Sequence, residues 1–342
     1  MRNDWALTTI ACAAMLFITN GSRPPREQKQ NVACHSAHTV TTSETTAWKV
    51  MPADLPLPAP GDVIRKNVEE VRVVFSVIDR QGHFVNDISP ADLEVKDTDR
   101  AIDELTGFAR TSNLPLRLGL VVDSSESMAR EFGQQQRAAG EFLRNIVRPE
   151  YDRAFVMTFA TRVDARRTYV HGGDDVEKLT MQAQSGGQTA LYDAICSACT
   201  DELMNMQEEL PIRRVLILLS DGEDTQSLHT LPDALDWAQR PGIAIYAITV
   251  HKPRGDYPGD RVLRELASAT GGRAFILKNY NQLAPVFSEI ESELRAQYVV
   301  TYRRSVAPPH SGFHPLQISV RNHPGLKVNF RRGYFAATRY GE

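Results

Sequence analysis

Asp123, Ser125 and Ser127 stand at alternate positions just after the run Leu116-Arg117-Leu118-Gly119-Leu120-Val121-Val122. One carboxylate followed by two hydroxyls is an oxygen-only donor set, and hard oxygen donors suit Mg²⁺ or Mn²⁺. The run itself is apolar except for Arg117 near its start, so it reads as a central strand buried on both faces. In an open α/β sheet, the C-terminal end of such a strand faces the ligand crevice. Two further segments extend the set. Ser185-Gly186-Gly187-Gln188-Thr189 places a Gly-Gly turn and a hydroxyl just ahead of a helical pattern. Val215-Leu216-Ile217-Leu218-Leu219-Ser220 is a second buried run, and it ends on another carboxylate, Asp221. Taken alone, the Asp-x-Ser-x-Ser stretch is more often a polar turn capping the next helix than a metal site.

Together the three segments resemble the von Willebrand factor A (VWA) domain and its metal-ion-dependent adhesion site (MIDAS). The pattern of that family is D-x-S-x-S, a Thr on a following loop, and an Asp at the end of a later strand. It maps onto Asp123, Ser125 and Ser127, then Thr189, then Asp221. The resemblance implies an α/β fold, a doubly wound and mostly parallel sheet of Rossmann-like type. It also implies a divalent cation, Mg²⁺ or Mn²⁺, held by those five residues. In the family the hydroxyls bind the metal directly at one time or another, and the two Asp often hold metal-bound waters. The cation then stays electron-poor and keeps an open position for a protein partner's Asp or Glu carboxylate. The resemblance therefore implies an exported adhesion or assembly module rather than an enzyme.

A Mg²⁺-dependent hydrolase is the alternative reading. No nucleophile here has a base beside it. A Mg²⁺-dependent phosphatase of the haloacid dehalogenase type needs a second acid where Ser125 stands. Neither Ser125 nor Ser185 lies in G-x-S-x-G, and no G-x-x-x-x-G-K-[ST] occurs. A structural domain with an unused metal site is the third reading, and the complete five-residue set counts against it.

The chain has 342 residues, 24% of them charged, with a formal net charge of −3. That length suffices for one full α/β domain and a smaller one. The near-neutral balance argues against a nucleic-acid partner. Arg303-Arg304 and Arg331-Arg332 read as short solvated strand faces.

Residues 1–21 read as a signal peptide, with Arg2 ahead of an apolar stretch over 5–18 and small residues before Ser22. As a helix that stretch spans about 21 Å, short of the roughly 30 Å hydrocarbon core. An uncleaved anchor is the alternative, and it would be the chain's sole membrane contact. The expected location is extracytoplasmic. Residues 22–60 are polar and Pro-rich, a linker in which Cys34, His35 and His38 lack a fourth ligand. Cys196 and Cys199 read as two small apolar residues on one helix face rather than a redox pair.

Residues 61–112 form a β-rich module with strands at 71–78, 93–96 and 104–108, and with Ser89 and Pro90 opening a helical turn. Residues 113–296 are the VWA region. Its strands are expected at Leu116–Asp123, 154–159, 215–221, Ile243–Val250 and Ala274–Leu277. Helices are expected between them at 131–147, 176–182, 190–206, 231–238, 261–269 and 283–295. This alternation means a parallel sheet with helices on both faces. Residues 297–342 return to β character, with strands at 297–302, 316–320 and 326–330 and a turn at Asn322-His323-Pro324-Gly325. The two flanks are expected to pair into one accessory β domain, and they loosely resemble bacterial exported VWA-related proteins. Asp193 is expected to steady its helix N-terminus, and Asp224 to lie in a solvated acidic turn.

Overall fold

The computed structural model describes residues 69–126, 132–163, 168–170, 186–204, 212–251, 257–304, 312–321, 323 and 325–335. Ser127, Ser185, the helix expected at 176–182, the N-terminal segment 1–21 and the linker with Cys34 lie outside the described residues.

The described chain begins with β1 (Glu69–Ile78), β2 (Leu93–Asp97), β3 (Arg100–Ala101) and β4 (Leu105–Arg110). Next come β5 (Leu116–Asp123), α1 (Phe132–Ile146), β6 (Arg153–Phe159) and β7 (Thr168–Val170). Helix α2 (Leu191–Ser197) runs on as a π turn over Ala198–Leu203. Then follow β8 (Arg213–Leu219), α3 (Leu231–Gln239), β9 (Ile243–Val250), α4 (Pro258–Thr270), β10 (Ala274–Leu277) and α5 (Leu283–Ala296). The last strands are β11 (Tyr298–Arg304), β12 (Phe313–Val320), β13 (Lys327–Phe330) and β14 (Gly333–Phe335).

The central sheet has the order β10-β9-β8-β5-β6-β7. The first five strands pair in parallel, and β7 adds an antiparallel edge. Burial on both faces explains why β5, β8 and β9 are apolar without alternation. On one face Leu118, Leu120 and Ile217 pack with Phe142 of α1 and Phe287 and Ile290 of α5. On the other, Val121, Leu216 and Leu218 pack with Leu191 and Ile195 of α2, Ala234 of α3 and Leu263 of α4. Arg117, the exception in β5, is buried and donates to the carbonyls of Leu116 (2.9 Å) and Tyr151 (3.0 Å). Its guanidinium thus saturates carbonyls at the strand's start, which makes a buried charge tolerable.

The segments before and after this sheet pair with each other. β13-β1-β11-β4 form one antiparallel sheet and β14-β12-β2-β3 another. Val73, Phe75, Tyr298 and Val300 from the first share a core with Val95, Leu316, Ile318 and Tyr334 from the second. Fully buried Glu293 of α5 accepts hydrogen bonds from Ser76 Oγ (2.8 Å) and Asn329 Nδ2 (3.0 Å), tying the last helix to β1 and β13.

Three details differ from the sequence expectation. β8 ends at Leu219, so Asp221 lies beyond the strand. β12 and β13, on either side of the turn expected at 322–325, lie in different sheets, since β12 pairs with β2 and β14 while β13 pairs with β1. Arg331 is not on a solvated strand face: its Nε is buried and its guanidinium lies 5.5 Å from the centre of the Tyr334 ring.

Candidate metal centre

Asp123 is the last residue of β5 and is fully buried. Its Oδ1 accepts the backbone N–H of Ser125 at 2.9 Å, and its Oδ2 accepts the hydroxyl of Ser220 at 2.8 Å. Burial pushes its pKa up to about 6; the Ser125 and Ser220 hydrogen bonds pull it down, and the nearby Asp221 charge adds to the rise. A carboxylate so placed is short of positive charge.

The turn after Asp123 is fixed through Ser124, whose N–H (2.8 Å) and hydroxyl (2.9 Å) both donate to the Phe159 carbonyl at the end of β6. The Ser124 carbonyl accepts the N–H of Gly186 at 2.9 Å, which brings the Gly186-Gly187 loop against β5. Gly187 has φ of 89°, and a Cβ there would strike the Thr161 hydroxyl, so the position requires glycine. Thr161 Oγ1 in turn accepts the Gln188 N–H at 2.9 Å.

Thr189 is buried, and its backbone is locked on both sides. Its N–H donates to Thr225 Oγ1 (3.0 Å), and its carbonyl accepts the N–H of Thr225 (2.9 Å) and of Gln226 (3.0 Å). Among the described residues, none hydrogen-bonds the Thr189 hydroxyl.

Asp221 is half-buried, and its Oδ1 accepts the Glu223 N–H at 3.1 Å. Gly222 (φ 80°) lies against Gly259 at the start of α4, so closely that a Cβ on either would strike the backbone of the other stretch. The helix therefore buttresses the turn that carries Asp221. Of the five expected ligands, Asp123 at the end of β5 and Ser125, Thr189 and Asp221 on loops are linked by these hydrogen bonds, and Ser127 lies outside the described residues.

Two acidic residues do more than the sequence suggested. Asp224 is not merely solvated: its Oδ1 accepts the Tyr192 N–H (3.3 Å) and the Ser227 hydroxyl (2.5 Å), capping α2 from another loop. Asp193 serves the neighbouring loop rather than its own helix. It accepts the N–H of Leu228 (3.1 Å) and His229 (3.0 Å), and lies 2.7 Å from His229 Nδ1. Ser220, which holds Asp123, was not singled out from sequence, although it sits two residues after Leu218 on the same face of the run. Cys196 and Cys199 are both fully buried, and burial pushes the Cys199 thiol well up, which suppresses the thiolate that redox chemistry needs.

The site and the sheet around it define a class. The family model for the von Willebrand factor type A domain matches residues 118–289, half of the chain. The chain belongs to that family. VWA domains are usually non-catalytic interaction modules.

Among solved structures, the chain is similar to proximal thread matrix protein 1 from the mussel byssus (17% identity, TM-score 0.44, 58% of this chain and 50% of that one), in a structure described as having a zinc-occupied MIDAS motif. It is also similar to the conserved hypothetical protein BatB from Bacteroides thetaiotaomicron (16%, TM-score 0.42, 52% and 98%). A third is a von Willebrand factor type A protein from Catenulispora acidiphila (11%, TM-score 0.45, 78% and 73%). The chain spans about half the length of the mussel protein it matches. No curated protein matches it. Among the described residues, no helix is long and apolar enough to cross a membrane.

Proposed function

We propose that the protein is an exported, metal-dependent binding module. On this reading Asp123, Ser125, Ser127, Thr189 and Asp221 hold Mg²⁺ or Mn²⁺, and a partner protein docks on it through an Asp or Glu side chain. The observation that carries the reading is the pairing of a buried, charge-starved Asp123 with the Thr189 hydroxyl, which no described residue engages. The donor set fits the group: it is oxygen-only, with hydroxyls outnumbering carboxylates. When bound, the cation supplies a Lewis-acidic position for a carboxylate. The chain's own residues do the rest. Ser220 and the Ser125 N–H orient Asp123, Thr225 and the Gly186-Gly187 loop hold Thr189 in place, and Gly259 fixes the turn bearing Asp221.

The test is a double-mutant cycle. Thr189→Ala should weaken partner capture with little change in melting temperature, since a hydroxyl on a loop adds little to the core. Removing the partner's acidic residue should have the same effect, and combining both should cost much less than the sum. Binding that persists in excess chelator, or additive losses, would overturn metal-bridged docking. Export rests on residues 1–21, and N-terminal sequencing of protein from an exporting host should start near Ser22. An intact Met1 on cytoplasmic protein would remove that part of the reading.

A further inference from the structure

At the opposite end of the parallel sheet, where it meets the accessory strands, lies a cavity of about 270 Å³. Five arginines line it: Arg72 of β1, Arg213 and Arg214 of β8, Arg240 after α3, and Arg331 between β13 and β14. No Asp or Glu is among its lining residues. We propose that this cavity is a binding site for a small tetrahedral oxyanion, free phosphate or the phosphate group of a small phosphomonoester.

The arginines arrive from four segments far apart in sequence; Arg213 and Arg214, neighbours on β8, leave opposite faces of the strand at its start, and they and Arg331 are each anchored to a backbone carbonyl. Arg213 Nη1 donates to the Leu294 carbonyl, Arg214 Nε to the Leu203 carbonyl at 2.9 Å, and Arg331 Nη2 to the Arg72 carbonyl at 2.8 Å. Neutral carbonyls hold these cations in position without cancelling their charge. Among the described residues only Arg240 of the five is ion-paired, to Asp236 at 2.7 Å. Arg213 is more than nine-tenths buried, and its Nε and that of Arg331 are buried donors with no hydrogen-bond partner. Orphaned buried guanidinium donors are costly unless a ligand or water takes them up.

The electrostatics point the same way. Burial pulls the Arg213 pKa down to about 10 and lowers those of Arg214 and Arg331. Asp236 compensates Arg240, and the Asp152 charge offsets part of the Arg213 shift, but burial outweighs it, and a multivalent anion would supply the remaining negative charge. Planar guanidiniums with paired N–H groups match the oxygen spacing of phosphate. At about 270 Å³ the space is slightly below the roughly 300–1,000 Å³ of drug-sized ligand pockets, so it suits a small anion.

The experiment uses the full chain with EDTA present, so that anion binding through the proposed metal centre cannot contribute. Titration calorimetry with inorganic phosphate and, separately, with glycerol 3-phosphate should give one site per chain. Each ligand should raise the melting temperature above that in potassium chloride of equal ionic strength. Tighter binding of glycerol 3-phosphate would assign the site to a phosphomonoester, and tighter binding of phosphate to the free ion. The variant Arg72→Gln/Arg240→Gln removes two exposed cations, leaves the buried ones in place, and should weaken binding about tenfold. Circular dichroism should match wild type. Stabilisation no greater than that by chloride, or unchanged affinity in the double variant, would overturn the proposal.

Discussion

The two ends of one parallel sheet carry opposite chemistry. At the C-terminal end of the strands, Asp123 and Asp221 lie among hydroxyls, and the buried carboxylate is short of positive charge. At the N-terminal end, Arg213 and Arg214 of β8 face a cavity with Arg72, Arg240 and Arg331, and the buried guanidiniums are short of negative charge. The interior of β8 between the two ends is apolar and fully buried, so neither end neutralises the other through direct contact. Under-compensated charge, rather than charge itself, is what the two proposed sites share. Asp152 shows the contrast. It is a buried carboxylate near the arginine end, yet it accepts from Arg148 Nε (2.9 Å) and Nη2 (2.9 Å) and from the Leu116 N–H (2.7 Å), so it has no charge left to satisfy.

The largest expected effect breaks the cation end alone. Outer-shell partners of a metal typically contribute about 10–100-fold to affinity, so loss of Asp123 itself should exceed about a hundredfold. Calorimetry on Asp123→Ala should show no resolvable Mg²⁺ or Mn²⁺ binding, while its phosphate affinity stays within about twofold of wild type, as expected for distant sites. Equal Mg²⁺ binding by both proteins would sink the ligand assignment. A parallel loss of phosphate binding would show that the two ends are one coupled system.

A smaller effect, on stability, comes from the satisfied carboxylate. Burial raises the Asp152 pKa, but hydrogen bonds from Arg148 and from the Leu116 and Arg148 N–H groups outweigh it, and the net shift is downward. A folded-state pKa below the unfolded value means that the unfolded chain binds the proton more tightly. Stability from Asp152 is therefore complete above about pH 4 and is lost as pH falls through the folded-state value. Asp152→Asn should destabilise the protein by about 2–3 kcal/mol at pH 7, by the loss of charge-assisted bonds. The gap from wild type should narrow as the pH is lowered below about 4. Urea unfolding at pH 7 and pH 3.5 measures both, and a gap that widens in acid would contradict the assignment.

How much of this was legible in the sequence depended on whether the signal was local. β5, β8 and β9 could be read because burial on both faces leaves unbroken apolar runs. Asp123, Thr189 and Asp221 could be singled out as candidates because each ends or follows such a run or shortly precedes a helix. The three-residue edge strand β7 carries too short a pattern to detect. The partner choice of β12 and β13 was also hidden, since alternation tells which face is buried and not which strand lies alongside. Ser220 meets Asp123 across 97 positions, and Asp224 caps a helix through Tyr192, 32 positions earlier, so neither bond leaves a mark in local spacing. The arginine cavity was hidden for the same reason. Its members are scattered from Arg72 to Arg331, and a net charge of −3 averages them away.

The smallest predicted effect asks whether Ser220 sharpens the contrast between the ends or merely fills space. Its hydroxyl donates to Asp123 Oδ2 at 2.8 Å and accepts the Gly222 N–H at 3.1 Å, so one side chain orients the carboxylate at the end of β5 and braces the turn bearing Asp221. It is a positioning residue, because its hydroxyl bonds groups around the proposed ligands rather than a ligand of its own. Ser220→Ala should weaken Mg²⁺ binding about tenfold, in the range of outer-shell substitutions. Phosphate affinity at the far end should not change. A space-filling role would lower the melting temperature and leave Mg²⁺ affinity intact. Ser220→Thr, which keeps the hydroxyl, should restore most of the affinity. If alanine and threonine bind Mg²⁺ equally well, the bond to Asp123 does not set the cation end, and the charge shortage at Asp123 alone must account for it.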